Sequence, residues 1–174
     1  MFSHHRPLVA EIGGKGAVAF GDGNPPPSTK LEFRKDSSFY RGDNYFAAGG
    51  EEGSALPGDL APKSMHFAVH DNDGIVAVAS VCQEGHAGVL NAEAWRLRGM
   101  AVHPSVRGMG FGRLLVNLSI RYVREQHGLL LWCTARESAY PFYEMLGFNR
   151  DPKPISMQGR DDMRFFLMQR RIAG

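Results

Sequence analysis

A turn with a glycine at every second position constrains the fold most. Gly108, Gly110 and Gly112 stand between an apolar strand pattern over residues 93–102 and an amphipathic helix pattern ending near His127. Pro104 ends the strand pattern, and Gly128 is predicted to stop the helix. The helix pattern places its apolar residues at helical spacing on one stripe, which predicts packing against a sheet: Phe111, Leu114, Leu115, Leu118 and Tyr122.

Strand and helix patterns also alternate along the rest of the chain. We predict strands at 65–70 and 75–82, joined by the turn sequence Asp71-Asn72-Asp73-Gly74, and further strands at 129–133, 148–150 and 163–169. Helices are predicted at 30–41 and 138–146, and a long loop at 49–62. This order predicts a mixed sheet with helices packed on it, an α/β (α+β) fold.

The domain prediction separates a short N-terminal segment from one domain. Residues 1–28 are rich in glycine and proline and form a flexible or atypical segment, in which residues 8–12 and 17–20 could add a strand. Residues 29–174 form a single domain, long enough to bury a core.

Composition limits the classes of protein that the chain can belong to. Apolar residues make up 43% and charged residues 22%, as in ordinary globular proteins, and the net charge of +2 gives no argument for nucleic-acid binding. No segment reaches the roughly 18 apolar residues of a membrane span. Cys82 and Cys133 lie in apolar runs, which predicts buried thiols and a cytoplasmic location, and the histidines show no metal-site spacing.

Positive charge collects around the glycine turn. Residues 94–124 contain six arginines and no carboxylate, which favours an anionic ligand. The first amides of the predicted helix lack internal partners, and glycines let a ligand approach the backbone closely. The turn is therefore predicted to bind a pyrophosphate. A P-loop would need Lys and Ser/Thr after the glycines, and a dinucleotide fingerprint would need another glycine spacing, so both are disfavoured.

Two segments resemble signatures of the GNAT superfamily of N-acetyltransferases. Residues 100–115 are similar to its acyl-CoA-binding motif with a Q/R-x-x-G-x-G/A core, and residues 139–148 resemble its A-x-x-F-Y-E-x-L-G-F signature. The resemblance covers roughly residues 64–150. It implies a mixed, mostly antiparallel sheet with helices on both faces, in which a splayed pair of parallel strands forms the acyl-CoA cleft.

The resemblance implies a set of cofactor contacts with acetyl-CoA as acyl donor. The backbone of Met100, Ala101 and Val102 would pair with the pantetheine arm. Arg136 stands where many relatives carry an Asn that contacts the cofactor; here it could reach a phosphate or an acidic acceptor. The pyrophosphate would be bound by the residues of the turn and the helix start: Arg107, Gly108, Met109, Gly110, Phe111, Gly112 and Arg113.

Acetyl transfer to an amine requires a base for the amine and stabilisation of the leaving thiolate. Tyr143 aligns with the family tyrosine that serves the thiolate as general acid. Two carboxylates are candidates for the base: Glu93 at the outer end of the strand before the turn, and Glu137 just after the following strand.

The predicted function is N-acetyl transfer from acetyl-CoA to a primary amine of a small molecule or peptide by direct attack. It needs no metal, nucleic acid or membrane, and the oligomeric state is left open between a monomer and a homodimer. The alternative is a non-catalytic acyl-CoA-binding or sensing domain that lacks a base.

Overall fold

A computed structural model describes the backbone of residues 9–11, 17–19 and 30–34, and residues 58, 61–71, 74–86, 88–90, 92–157 and 159–173. The strands are β1 (Val9–Glu11), β2 (Ala17–Ala19), β3 (Lys30–Arg34), β4 (Met65–Asp71), β5 (Gly74–Gln83), β6 (Ala94–Val102), β7 (Leu130–Arg136), β8 (Asn149–Arg150) and β9 (Phe165–Arg171). The helices are α1 (Phe111–Glu125) and α2 (Tyr140–Met145), with a 3₁₀ turn at Pro104–Val106.

Seven of the described strands form one mixed sheet with the order β3-β4-β5-β6-β7-β9-β8. β6 and β7 are parallel, whereas β3–β4, β7–β9 and β8–β9 are antiparallel. β1 and β2 form a separate antiparallel pair, so strands do occur in the N-terminal segment where the sequence allowed one. The predicted mixed, mostly antiparallel sheet is confirmed. Within the described residues no helix is long and apolar enough to cross a membrane.

The described residues divide into two compact units. The first comprises residues 1–80 with 99–115. In it β3 pairs with β4 from Lys30↔His70 to Arg34↔His66, and the His103 amide donates to the Val76 carbonyl at 2.7 Å. Its core includes Ala68, Ile75 and Val78, against which Ala101 packs.

The helix predicted at 30–41 is wrong for residues 30–34, which form β3. Leu31 and Phe33 alternate with Lys30, Glu32 and Arg34, and this period of two belongs to a strand. The helix prediction depends on the capping residues Ser28 and Thr29, and the alternation outweighs them. Residues 35–41, and most of the loop predicted at 49–62, lie outside the described residues.

The second unit comprises residues 81–98 with 116–174. β7 is paired along its whole length with β9, from Leu130↔Arg171 to Arg136↔Phe165. Trp95 is completely buried and meets the ring of Tyr122 edge-on, with 5.7 Å between the ring centres. On α1, Leu118 of this unit is buried, as are Phe111, Leu114 and Leu115 of the first unit, so the predicted apolar stripe is confirmed.

α1 ends in a Schellman motif whose left-handed residue is His127, not the predicted Gly128. His127 has φ 59°; its amide donates to Arg124 and the Gly128 amide to Val123, at 2.9 and 2.8 Å. Gly128 is required for a different reason. A Cβ there would lie 2.5 Å from Val123 Cγ1 and 2.6 Å from the Trp95 ring.

β7 is longer than predicted, which moves the residues at its end. The apolar run stops at Cys133, but pairing with β9 continues through Thr134↔Leu167 to Arg136↔Phe165. Cross-strand hydrogen bonds therefore extend the strand into polar residues. Arg136 is its last residue and Glu137 the first after it.

Candidate active site

The glycine turn follows β6 in the first unit. The turn begins at His103, whose Nδ1 atom accepts a hydrogen bond from the Ser105 amide at 3.3 Å. Gly108 and Gly110 have φ values of 81° and 90°, and within the described part of the chain no atom beyond their immediate neighbours lies within 4 Å of a Cβ placed on either. The left-handed backbone thus favours glycine at both positions, and the space around them leaves the turn accessible.

The helix that follows the turn begins with free backbone donors. Its first internal hydrogen bond runs from the Leu114 amide to the Gly110 carbonyl at 3.0 Å; the amides of Phe111, Gly112 and Arg113 precede it and have no carbonyl one turn earlier to pair with. The first turn of α1 has no acidic residue, so the positive end of the helix dipole is not neutralised there. This helix start can accept an anion.

Two arginines flank these amides, and both are exposed. The Arg107 Nε atom donates to the Val102 carbonyl at 3.2 Å, which fixes the base of the guanidinium beside the end of β6. Arg113 lies in the first turn of α1. Both can supply charge to a bound phosphate.

The parallel strands of the second unit separate after a short ladder. β6 and β7 pair only through Ala94↔Leu130, Trp95↔Leu131 and Arg96↔Trp132. Both strands continue beyond these pairs, so the parallel pairing ends after Arg96 and Trp132, where the resemblance implies a splay. Gly99 in β6 has φ 59°, a conformation typical of a β-bulge.

A charged and aromatic cluster occupies the last pair before the splay. Arg96 Nη1 lies 2.9 Å from Glu84 Oε1, and its guanidinium stands 4.7 Å over the Trp132 ring. Trp132 Nε1 donates to the Glu84 carbonyl at 2.9 Å, and the His86 ring stacks on Trp132 with 4.6 Å between centres. Burial lowers the pKa of His86, and the negative charges of Asp151 and Glu84 offset part of this effect.

Sequence reasoning missed Glu84. It reaches β6 because its amide donates to the Ala94 carbonyl at 3.0 Å. The signal available in the sequence was the succession of β5 and β6, which brings the end of one strand beside the start of the next. The Arg96 ion pair already engages its carboxylate.

Tyr143 lies in α2 and is 8% exposed. Its ring meets Phe142 and Phe148 edge-on, at 5.1 and 5.5 Å between centres. Burial, and to a smaller extent the proximity of Cys133, raises the pKa of Tyr143 above its usual value. The phenol therefore keeps its proton at neutral pH and can donate a hydrogen bond.

Cys133 is buried in β7 with a free thiol. Burial raises its pKa to about 12, against the lowering effect of the Arg96 charge. The thiolate is the nucleophilic form of cysteine, so a thiol with this pKa is inert at neutral pH. The prediction of buried thiols is confirmed for both cysteines.

The two candidate bases lie at opposite ends of β7. The Glu93 carbonyl accepts the amides of Leu129 and Leu130, at 2.7 and 3.2 Å, next to the start of β7. Glu137 follows the end of the same strand. Since a strand rises about 3.3 Å per residue, roughly 20 Å separates these ends, and the two carboxylates do not share a site.

Glu137 lines an open depression of about 420 Å³. Its amide donates to the Arg164 carbonyl at 3.0 Å, and its Oε1 atom lies 3.6 Å from Arg164 Nη1. The depression thus brings together two residues from the sequence prediction, Arg136 and Glu137, with four others: Ser138, Asp162, Met163 and Arg164. Nowhere in the described part of the chain do three His, Cys, Asp or Glu side chains converge as a metal site would need.

Comparisons with known proteins show which family the chain is similar to. Residues 62–150 match the family model of the acetyltransferase (GNAT) domain. An uncharacterized N-acetyltransferase, YitI of Bacillus subtilis, is 28% identical over 101 residues, which cover 58% of this chain and 68% of the relative.

Solved structures share the fold at low identity. The protein yncA from Salmonella typhimurium, solved with its cofactor acetyl-CoA, has a TM-score of 0.61 at 17% identity, covering 84% of this chain and 95% of its own. An aminoglycoside 6'-N-acetyltransferase, solved with coenzyme A, has a TM-score of 0.59 at 18% identity, covering 74% and 83%.

Proposed function

The chain belongs to the GNAT acetyltransferase family and is an acetyl-CoA-dependent acetyltransferase, and from this premise we propose that it acetylates a primary amine by direct attack of the amine on the thioester. The observation that carries the proposal is the open glycine turn before α1, where Gly108 and Gly110 leave the backbone accessible. Beside it the unpaired amides begin at Phe111, and the first turn of α1 contains no acidic residue.

In this proposal the donor is bound mainly by backbone groups. The edge of Met100, Ala101 and Val102 pairs with the pantetheine arm, and the pyrophosphate is bound at the turn of residues 107–113 by the amides of Phe111, Gly112 and Arg113, because the Arg107 and Met109 amides already donate to the Pro104 and Val106 carbonyls. The exposed guanidinium groups of Arg107 and Arg113 add charge-assisted hydrogen bonds. When bound, acetyl-CoA supplies an activated thioester carbonyl, and the chain's residues orient it and manage the protons.

Tyr143 serves the leaving sulfur. A thiol has a pKa near 8.5, whereas the pKa of a buried phenol lies above 10, so complete proton transfer from the phenol to a free thiolate is uphill. The proposed role is a hydrogen bond that strengthens as charge develops on sulfur; the proton that the attacking nitrogen loses then replaces the one that the phenol gives to the leaving sulfur. Burial of Tyr143 supports this, because it holds the hydroxyl in its protonated form.

Glu137 serves as the base in this proposal, in preference to Glu93. Glu137 follows the open end of the splayed strand, precedes the helix that carries Tyr143, and lines a depression. Glu93 precedes the closed end, where β6 and β7 are still paired. An exposed carboxylate only loosely paired to Arg164 can accept the proton of an ammonium group.

Thiol release from acetyl-CoA across a panel of primary amines, amino acids and peptides tests the function. Tyr143→Phe should lower kcat by roughly 10²- to 10³-fold, with the Kd for acetyl-CoA unchanged by calorimetry. Tyr140→Phe is the matched control on the same helix, since its ring packs on Phe166, and it should stay within about threefold of the wild type.

The pH dependence gives a second readout. Because the pKa of Tyr143 is raised, its proton remains bound at alkaline pH, so kcat/KM should not decline between about pH 8 and pH 10. Full activity of Tyr143→Phe would remove the tyrosine from the mechanism. Tight acetyl-CoA binding without turnover of any acceptor would favour the sensing domain and overturn the proposed transfer.

A further inference from the structure

The depression at the carboxyl end of β7 has the size and charges of a small-molecule subsite. We propose that it binds the acceptor and that the acceptor is a zwitterion of the amino-acid type, an amine that also carries a carboxylate. This inference rests on the proposed acetyl transfer and specifies its substrate class. A volume of about 420 Å³ lies within the usual range for sites of small ligands.

Ordered backbone bonds build the far wall of the depression. Two successive turns are each closed by a backbone hydrogen bond. The Arg160 amide donates to the Met157 carbonyl at 3.0 Å, and the Met163 amide donates to the Arg160 carbonyl at 3.1 Å. The Ile155 amide joins the same connection to Phe165 at 2.8 Å. Asp162, Met163 and Arg164 are thereby held against the end of β7.

The lining carries two positive and two negative groups, only two of which are engaged with each other. Arg164 and Glu137 form a loose pair at 3.6 Å, with side chains 69% and 56% exposed, so water competes strongly for both. In the described part of the chain, neither the Arg136 guanidinium nor the Asp162 carboxylate takes part in a salt bridge. One cation and one anion thus remain available on one rim.

This charge arrangement matches a ligand with both signs of charge. A guanidinium binds a carboxylate through two parallel hydrogen bonds, which assigns the acceptor's carboxylate to Arg136. Asp162 and Glu137 then receive the ammonium group, and Glu137 takes its proton. A neutral or purely cationic amine would leave Arg136 without a counter-charge.

Arg136 has a competing role as a contact to the cofactor's phosphates. Its surroundings argue for the acceptor, because it lines the depression together with Asp162, Met163 and Arg164, the residues before β9. If Arg136 binds the acceptor, its substitution should weaken acceptor binding and leave acetyl-CoA binding unchanged. If it contacts the cofactor's phosphates, its substitution should weaken acetyl-CoA binding.

Matched acceptors test the proposal in steady-state kinetics with acetyl-CoA. For several side chains, each amino acid is compared with its primary amide and its decarboxylated amine, and the amino acid should have the highest kcat/KM. Arg136→Leu should raise the KM of the amino acids on the order of 10- to 100-fold, leave kcat/KM for the amides within about threefold, and leave acetyl-CoA binding unchanged. Arg136→Lys should recover part of the loss.

Arg160→Leu is the control, because Arg160 belongs to the same connection but does not line the depression; all its constants should match the wild type. Equal use of amides and amino acids by the wild type, or weaker acetyl-CoA binding by Arg136→Leu, overturns the inference and leaves the acetyltransferase proposal standing. Bound acetyl-CoA with no turnover of any acceptor overturns both.

Discussion

Neighbouring groups determine which carboxylate near the splayed strands is able to move a proton. Glu84 is held by Arg96 at 2.9 Å over an aromatic ring, and protonating it would leave a partly buried guanidinium without its counter-charge. Glu93 lies at the paired end of β6 and β7, where its carbonyl accepts the amides of Leu129 and Leu130. Glu137 alone among these three combines a loose ion pair with a place in a depression, and for this reason we propose it as the base.

Replacing Glu137 by Gln keeps the size of the side chain and removes its basicity. We expect kcat/KM to fall by about 10²- to 10⁴-fold at neutral pH, because the ammonium form of the acceptor loses its proton acceptor. The loss should shrink as pH rises toward the pKa of the amine, since free amine then accumulates. Thiol-release assays at fixed time points, carried out from pH 6 to pH 10, measure how the loss of kcat/KM depends on pH.

Glu93→Gln is the matched control and should remain within about threefold of the wild type at every pH. If Glu93→Gln instead shows the large, pH-dependent loss and Glu137→Gln does not, the assignment of the base is reversed.

At the scale of elements, most local signals predicted the structure correctly, with the capping residues Ser28 and Thr29 as the exception, and features that depend on distant residues were missed. The stripe of α1 predicted its buried face, and the turn sequence before Gly74 predicted the hairpin of β4 and β5. β3 was missed because its alternation is short and its strand state depends on pairing with β4. The end of β7 was misplaced because β9, distant in sequence, determines it.

The same distinction applies to the candidate site. The glycine turn and Tyr143 lie in contiguous motifs, so the sequence indicated both. Arg96 meets Glu84 only through the succession of β5 and β6, and Arg136 shares a depression with Asp162 only through the register of β7 and β9. Groups brought together by strand pairing leave no local signature in a single sequence.

The end of α1 yields an opposed pair of stability predictions at adjacent positions. His127→Gly should stabilise the protein by about 0.5–1 kcal/mol, because a non-glycine residue at φ 59° carries a steric cost that glycine avoids. Gly128→Ala should destabilise it by about 1–3 kcal/mol, because the new methyl group meets Val123 and Trp95 at 2.5–2.6 Å. Urea denaturation measures both.

His127→Ala is the control for the first change, since it removes the imidazole without relieving the backbone, and it should not stabilise. A stabilising Gly128→Ala would show that the helix end relaxes freely and that the close contact is not a constraint.

For the whole molecule, the proposed roles divide between the two units. The residues proposed to bind the donor, 100–102 and 107–113, belong to the first, and Tyr143, Arg136 and Glu137 to the second. Substitutions at the turn should therefore change donor binding, and substitutions at the end of β7 acceptor use.

Global stability should fall with rising pH because of Cys133. Burial raises its pKa in the folded protein to about 12, whereas an unfolded thiol ionises near pH 8.5. Above about pH 9 the unfolded chain releases a proton that the folded chain keeps. The free energy of unfolding should therefore decline by about 1.4 kcal/mol per pH unit through this thiol, until the folded pKa is reached.

Denaturation of the wild type and Cys133→Ala between pH 8 and pH 11 isolates the contribution of this thiol, since other alkaline groups are common to both proteins. Cys133→Ala should be less stable at pH 8, through the lost packing of a buried side chain, yet lose stability more slowly as pH rises. If the free energy of unfolding falls with pH at the same rate in both proteins, the folded state does not hold the thiol in its neutral form. Rapid labelling of Cys133 by a thiol reagent under native conditions would lead to the same conclusion, because only an accessible thiolate reacts quickly.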